Sequence, residues 1–388
     1  MLTLIKNGLV YSPDFIGKKD ILITSDKIGY ILDTIETPAV PATIIDAEGK
    51  LVFPGFIDSH IHIIGAGGEE GFHTRTPELR MTDATTAGIT TVVGVIGTDG
   101  TTRTMEALLA KAYSLENEGI SAFIHTGSYQ VPVKTLSGKI ENDIMLIDKI
   151  IGVGEVAIAD ARSSQPTSRE LARIASLAMI SGKACGVKGV VNVHVGEGPD
   201  RLSLLEEVVS TTNVSITQFH CTHINRTRNL FEAGIEYAKR GGFVDFTTCT
   251  DPKSMQKEVK CSKALKEMLE HGVPIEQITF TSDGQISLPV FDDNLKQVGF
   301  KVGKPATLYR EVKDAILEEQ LPIETAIRVI TSNPAEILGL NAKGSIKEGK
   351  DADVVIVDKE TMVIDTVLAR GKVMVQGGEA VVKDVFEW

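Results

Sequence analysis

Two textures of apolar and polar positions divide the chain. Residues 1–52 carry β-branched runs, Ile21-Leu22-Ile23, Ile28-Gly29-Tyr30-Ile31 and Thr43-Ile44-Ile45-Asp46, separated by polar or proline-bearing turns. No helical period is visible there. From Phe53 onward, short apolar runs alternate with longer stretches of helical spacing. The runs predict strands near 56–64, 89–97, 121–129, 155–160, 190–196, 216–224, 243–249 and 278–283. Between them the spacing predicts helices over 103–118, 168–182, 200–211, 226–240 and 258–271. In the first of these, Met105, Leu108, Leu109, Ala112 and Leu115 form one apolar stripe. Two further helices, 305–318 and 323–338, follow the last strand. Strand texture then returns in 351–358, 363–367 and 373–375.

A strand followed by a helix, repeated eight times, is the pattern of a (β/α)8 TIM barrel, an α/β fold. Residues 53–344 are expected to form it. Residues 1–52 and 345–388 are expected to meet in one small split β-sandwich domain, as neighbouring chain ends allow.

Barrel enzymes carry their sites at the C-terminal ends of the strands. The first run ends in Phe56-Ile57-Asp58-Ser59-His60-Ile61-His62. Two histidines two residues apart on a strand point to one face. Glu155 lies on strand four, His194 ends strand five, His223 ends strand six and Asp283 ends strand eight. A buried histidine satisfied by a carbonyl would explain any one of these. Six such groups on five strands point instead to metal ligands. Six nitrogen and oxygen donors exceed the shell of one tetrahedral ion and suit two ions sharing a carboxylate and a water. Two cations acidify that water, and a nearby carboxylate can take and return its proton. The chemistry implied is hydrolysis at a carbonyl, an amide above all. His73, His125, His220 and His271 are weaker candidates; His220 has the wrong parity relative to His223 and reads as packing or surface.

Bulk composition narrows the partners. The 388 residues carry a formal net charge of −12, which argues against nucleic acid or an anionic membrane as partner. Cys185, Cys221, Cys249 and Cys261 show no close pair, hence no disulfide framework and no thiolate zinc site. No basic stretch precedes a long apolar run, so no signal peptide is expected, and no run approaches the ~20 apolar residues of a membrane helix. The expectation is a cytoplasmic protein acting on a small molecule.

Pro54-Gly55-Phe56-Ile57-Asp58-Ser59-His60-Ile61-His62, the distant histidines, Asp283 and Gly349-Lys350-Asp351-Ala352-Asp353 together resemble the amidohydrolase superfamily. Within it the chain is similar, over nearly its whole length, to isoaspartyl (β-aspartyl) dipeptidases. Four stretches carry this: Gly65-Ala66-Gly67-Gly68-Glu69 with Thr74-Arg75-Thr76-Pro77-Glu78; Gly97-Thr98-Asp99; Thr126-Gly127-Ser128-Tyr129-Gln130-Val131-Pro132; and Thr222-His223-Ile224-Asn225-Arg226. The resemblance implies two divalent metal ions, zinc by preference, and assembly into a homo-oligomer. His60, His62 and Asp283 resemble the ligands of one metal, His194 and His223 those of the other. Asp283 would also shuttle the proton, and Tyr129 would polarise the scissile carbonyl. Glu69 would hold the substrate's α-amino group. Arg162, Arg226 and Ser287 would hold its carboxylates, with Thr98 beside them. The family's best-known members bridge the metals with a carboxylated lysine on strand four. Here that position is Glu155, and Lys149 lies before the strand.

Three readings therefore compete: hydrolysis of β-aspartyl dipeptides, hydrolysis of a cyclic amide (hydantoinase- or dihydroorotase-like) or an amine, and a scaffold without metal. The basic pair Arg162 and Arg226 favours a doubly carboxylated substrate, and none of the four histidines nor Asp283 is missing.

Overall fold

The computed structural model describes residues 2–249, 258–292, 294 and 296–387; Met1 and Trp388, at the limits of the expected small domain, lie outside them. Eight parallel strands form one sheet in chain order: Phe56–Ile61, Ile89–Gly94, Ser121–Thr126, Ile150–Ile158, Val191–Val195, Phe219–Thr222, Phe243–Thr247 and Ile278–Thr281. The last strand leads back to the first. The Asp283 N–H donates to the His60 carbonyl at 3.1 Å, and the His62 N–H to the Gly284 carbonyl at 3.1 Å. Helices between the strands complete a (β/α)8 barrel. Strands one, two and four are buried at every position, because barrel strands face packed side chains inside and helices outside.

The helix ends follow local chemistry. Thr104 caps Met105–Glu118 by accepting from the Ala107 N–H, and Gly119 ends it with φ 126°. The buried positions of this helix are Met105, Leu108, Ala112 and Leu115, the expected stripe with Leu109 at its edge. Ser168–Cys185 starts with a capping box made by Thr167 and Glu170.

Several boundaries depart from expectation. Strand four begins at Ile150, not at 155. The expected helix 323–338 is three pieces: α-helical Ile323–Ala326, a 3-10 turn Ile327–Ile330, and α-helical Ser332–Leu338. Pro334 explains the break. It is tolerated in a first turn, but inside a continuous helix its ring would meet the carbonyl of residue 330. Short helices Met81–Thr85 and Ile140–Leu146, and the antiparallel hairpin Ser287–Phe291 with Gln297–Val302, were not expected.

The two ends of the chain share a nine-stranded sheet with its own core of Ile5, Val10, Ile21, Ile23, Val52, Val354, Ile356 and Leu368. The strand Lys50–Pro54 joins them: it runs parallel to Leu2–Tyr11 and antiparallel to Val354–Asp358. Gly55 then passes the chain into the barrel. A Cβ there would meet Thr90 Oγ1 at 2.2 Å and Asp353 Cβ at 2.7 Å, so only glycine fits. The nearby Lys343 ammonium is buried against Ser121 Oγ (2.6 Å), Asp353 Oδ2 (2.6 Å) and Asp351 Oδ2 (2.7 Å). The late Asp351-Ala352-Asp353 stretch thus pins the small sheet to the barrel.

Candidate active site

The six groups singled out on the strands converge at the C-terminal mouth of the barrel, all of them buried. His62 Nε2 lies 3.0 Å from Asp283 Oδ1 and 3.6 Å from Glu155 Oε1. His60 Nε2 lies 3.5 Å from each of Glu155 Oε2 and Asp283 Oδ1. On the other side of Glu155, His194 Nδ1 is 3.2 Å and His223 Nε2 3.9 Å from Oε2. His60, His62 and Glu155 form one group able to hold a metal ion; Glu155, His194 and His223 form a second. Donors on a zinc tetrahedron of ~2.0–2.1 Å bonds stand about 3.4 Å apart, so these spacings fit a metal. His60 Nε2 and Glu155 Oε1 are buried with no hydrogen-bond partner in the protein, which is costly unless something else satisfies them.

Two of these residues sit in strained backbone. His223 (φ 68°) and Asp283 (φ 53°) adopt the left-handed region just past their strands, which turns their side chains over the mouth. Their partners outside the cluster fix ring orientation. Asn192 Oδ1 lies 2.9 Å from His60 Nδ1, and Thr247 Oγ1 2.5 Å from His223 Nδ1. Asn192 shares its strand face with His194, a parity signal that could have revealed it.

The carboxylates and histidines at the mouth set one another's charge. Burial opposes ionisation of Glu155, but His60, His194 and His223 outweigh it and hold the carboxyl well below its usual range. Asp283 is likewise held low, against burial, by His60 and His62. Burial also opposes a charge on His60, yet Glu155 and Asp283 push it up to about 10. Two buried carboxylates so placed favour a cation between them.

Above the cluster lies a cavity of about 190 Å³, with His62 and Asp283 reaching its floor. Glu69, Thr98, Tyr129, Arg162, Arg226 and Ser287 line it. Glu69 Oε1 accepts from Thr98 Oγ1 at 2.7 Å and faces Arg162 Nη1 at 3.8 Å. The Arg162 guanidinium stands 5.4 Å from the Tyr129 ring centre. Burial above all, then Glu155, pushes the Tyr129 hydroxyl well above its ordinary value against Arg162 and Arg226, so it stays a donor. Arg103 shapes the loop carrying Glu69, donating to the carbonyls of Gly65 and Ala66 at 2.6 Å each. Gly67 lets that loop close on Ser287: a Cβ there would come within 2.8 Å of Ser287 Cβ.

Residues 51–374 match the model of the amidohydrolase family. A crystal structure of a β-aspartyl dipeptidase from Fervidobacterium islandicum AW-1, in complex with the β-Asp-Leu dipeptide, superposes with a TM-score of 0.90 at 42% identity, covering 100% of each chain. The chain belongs to the amidohydrolase family, in its β-aspartyl dipeptidase branch. More distant amidohydrolases are similar too. A dihydroorotase from Bacillus cereus is 25% identical over 95% of this chain and 92% of its own. A D-hydantoinase shares the fold at 20% identity and a TM-score of 0.66, covering 99% and 97%. The amidohydrolase family uses divalent metal, which accords with the donors at this mouth.

Three residues of this amidohydrolase stand apart from the expected site. His220, expected as packing or surface, is the former: it is buried with Nε2 2.8 Å from Thr279 Oγ1, and burial pushes it down to about 3. Lys149 stands before strand four, paired with Glu116, and does not line the cavity. Asp160, which sequence reasoning passed over, bonds both His194 and Arg162.

Proposed function

We propose that the chain hydrolyses β-aspartyl dipeptides to aspartate and a free amino acid, using two divalent metal ions, zinc by ligand type. The observation that carries this reading is the full-length likeness, at 42% identity, to a β-aspartyl dipeptidase crystallised with β-Asp-Leu. The charges around the cavity support it. A β-aspartyl dipeptide presents an ammonium and a carboxylate on one carbon, and a second carboxylate at its far end. Glu69 offers an anion to the ammonium, while Arg162 and Arg226 offer planar forks to carboxylates. Ser287 and Thr98 add hydroxyl donors at the wall. A neutral cyclic amide would leave this ring of charges unpaired.

His60, His62 and Asp283 would hold one ion, His194 and His223 the other, with Glu155 shared between them. When bound, divalent metal acidifies water and so supplies a nucleophile near neutral pH. Asp283 sits at the cavity floor, where its carboxylate would accept a proton from the attacking water and pass it to the leaving amine nitrogen. The Tyr129 hydroxyl lies beside His194 where the cluster meets the cavity, and from there would donate to the carbonyl oxygen as charge develops on it.

The test is product identity. Purified protein given zinc is incubated separately with β-Asp-Leu, dihydroorotate and a hydantoin, and the products are separated. Free aspartate and leucine are expected from the dipeptide alone. Ring opening of a cyclic amide with the dipeptide untouched would overturn the proposal.

A further inference from the structure

His194 has a choice to make, and its surroundings bias that choice. One ring nitrogen, Nδ1, faces the cluster: Glu155 Oε2 at 3.2 Å and the Tyr129 hydroxyl at 2.7 Å. The other, Nε2, has the Tyr129 hydroxyl at 3.4 Å and faces outward to three charged groups. Asp160 Oδ2 stands at 2.9 Å, Arg226 Nη1 at 3.2 Å and Arg162 Nη2 at 3.4 Å. A neutral imidazole carries one proton. The guanidiniums can only donate, so they favour a lone pair on Nε2 and hence the proton on Nδ1. That tautomer would spend Nδ1 on a bond to Glu155 and remove it as a ligand. The Asp160 carboxylate can only accept, so it favours the proton on Nε2 and leaves the Nδ1 lone pair for the cluster.

Asp160 is built into its place. Its side chain is 9% exposed. It grips Arg162 by both carboxylate oxygens, Oδ1 to Nε at 2.9 Å and Oδ2 to Nη2 at 2.8 Å, and Oδ1 also accepts the Arg162 backbone N–H at 2.9 Å. A turn residue that only capped its own loop would not need Oδ2 on a histidine of the next strand. One carboxylate therefore touches a cluster histidine and a cavity-wall arginine together.

We propose that Asp160 is a positioning residue with two linked tasks: it sets the His194 tautomer so that the lone pair on Nδ1 is free for the metal-ligand cluster, and it holds the Arg162 fork toward the substrate carboxylate. The second task rests on the dipeptidase reading; the first does not. Loss of Asp160 then weakens metal retention and carboxylate binding together, whereas loss of Arg162 weakens carboxylate binding alone.

Metal release and tautomer are measured without any dipeptide, so their outcome stands apart from the assigned substrate. Zinc affinity is read by competition with a chromophoric chelator for the wild type, Asp160→Asn and Arg162→Ala, after circular dichroism has shown each folded. Asp160→Asn is expected to hold zinc ~10–100-fold more weakly and Arg162→Ala within about twofold of wild type, as loss of an outer partner of a ligating histidine implies. With β-Asp-Leu, both variants are expected to raise KM. The wild type supplies a second readout that needs no variant: with ring-15N histidine and zinc bound, His194 should show its proton on Nε2. A proton on Nδ1, or an Asp160→Asn protein that binds zinc as tightly as wild type, would overturn the proposal.

Discussion

The Tyr129 hydroxyl stands 2.7 Å from His194 Nδ1, at the boundary between the metal-ligand cluster and the cavity. A donor in that position reaches a carbonyl only when the carbonyl lies against the cluster, so its effect belongs to the chemical step. Tyr129→Phe is expected to lower kcat by about 10²-fold or more with a smaller change in KM. Steady-state kinetics on β-Asp-Leu check this, and an unchanged kcat would return Tyr129 to a packing role.

Glu155 lies between the two histidine groups, with Oε1 toward His62 and Oε2 toward His60, His194 and His223. A carboxylate supplied directly by the chain needs no carbon dioxide to form. Activity should therefore be indifferent to bicarbonate, and anomalous scattering from zinc-loaded crystals should show two ions sharing Glu155. A single ion, or a modified Lys149 between two, would contradict this.

Asp283 combines a ligand's position with reach to the cavity floor. Asp283→Ala is expected to abolish nearly all turnover even when zinc is saturating. Substantial kcat in a metal-replete variant would assign the proton transfer elsewhere.

Much of this arrangement was legible from the residues, for physical reasons. Barrel strands such as Phe56–Ile61 and Ile89–Gly94 are buried on both faces and read as continuous apolar runs. The parity of His60 and His62 put both rings on one face, and both meet Glu155 and Asp283. What stayed hidden depends on tertiary contact. Gly152 and Gly154 broke the apolar run of strand four and concealed its start at Ile150. The half-exposed hairpin carrying Ser287 has no continuous apolar face to reveal it. Asp160 stood at the end of the expected strand 155–160 with nothing nearby in sequence to mark it, and only the fold brings His194 and Arg162 to its two oxygens.

Lys343 offers a stability test remote from the cavity. Its ammonium is buried between Asp351 and Asp353, and removing it leaves Asp353 without its cation and Asp351 with Lys27 alone. Lys343→Met is expected to cost ~3–5 kcal/mol, read by chemical denaturation, with kcat of the folded protein unchanged. Burial works to raise Asp351, but Lys343 and Lys27 outweigh it and hold it below the usual range. This contribution is therefore complete above the unfolded carboxyl value of ~3.9 and is lost as pH falls through the lower folded one. A variant as stable as wild type at pH 7 would contradict the role given to this ion-pair cluster.

The most direct measure of the central claim is the ratio of kcat/KM for β-Asp-Leu to that for α-linked Asp-Leu, with zinc present. The two dipeptides carry the same charges and differ in where the scissile carbonyl falls once Glu69 and the arginines have gripped the ends. Misplacement of a reacting group by ~1 Å can cost ~10²-fold, so a ratio of at least that size is expected. N-acetylation of the β-linked substrate should abolish its cleavage, since it removes the ammonium and leaves Glu69 unpaired. A ratio near one, or equal cleavage of the N-acetylated dipeptide, would contradict the account.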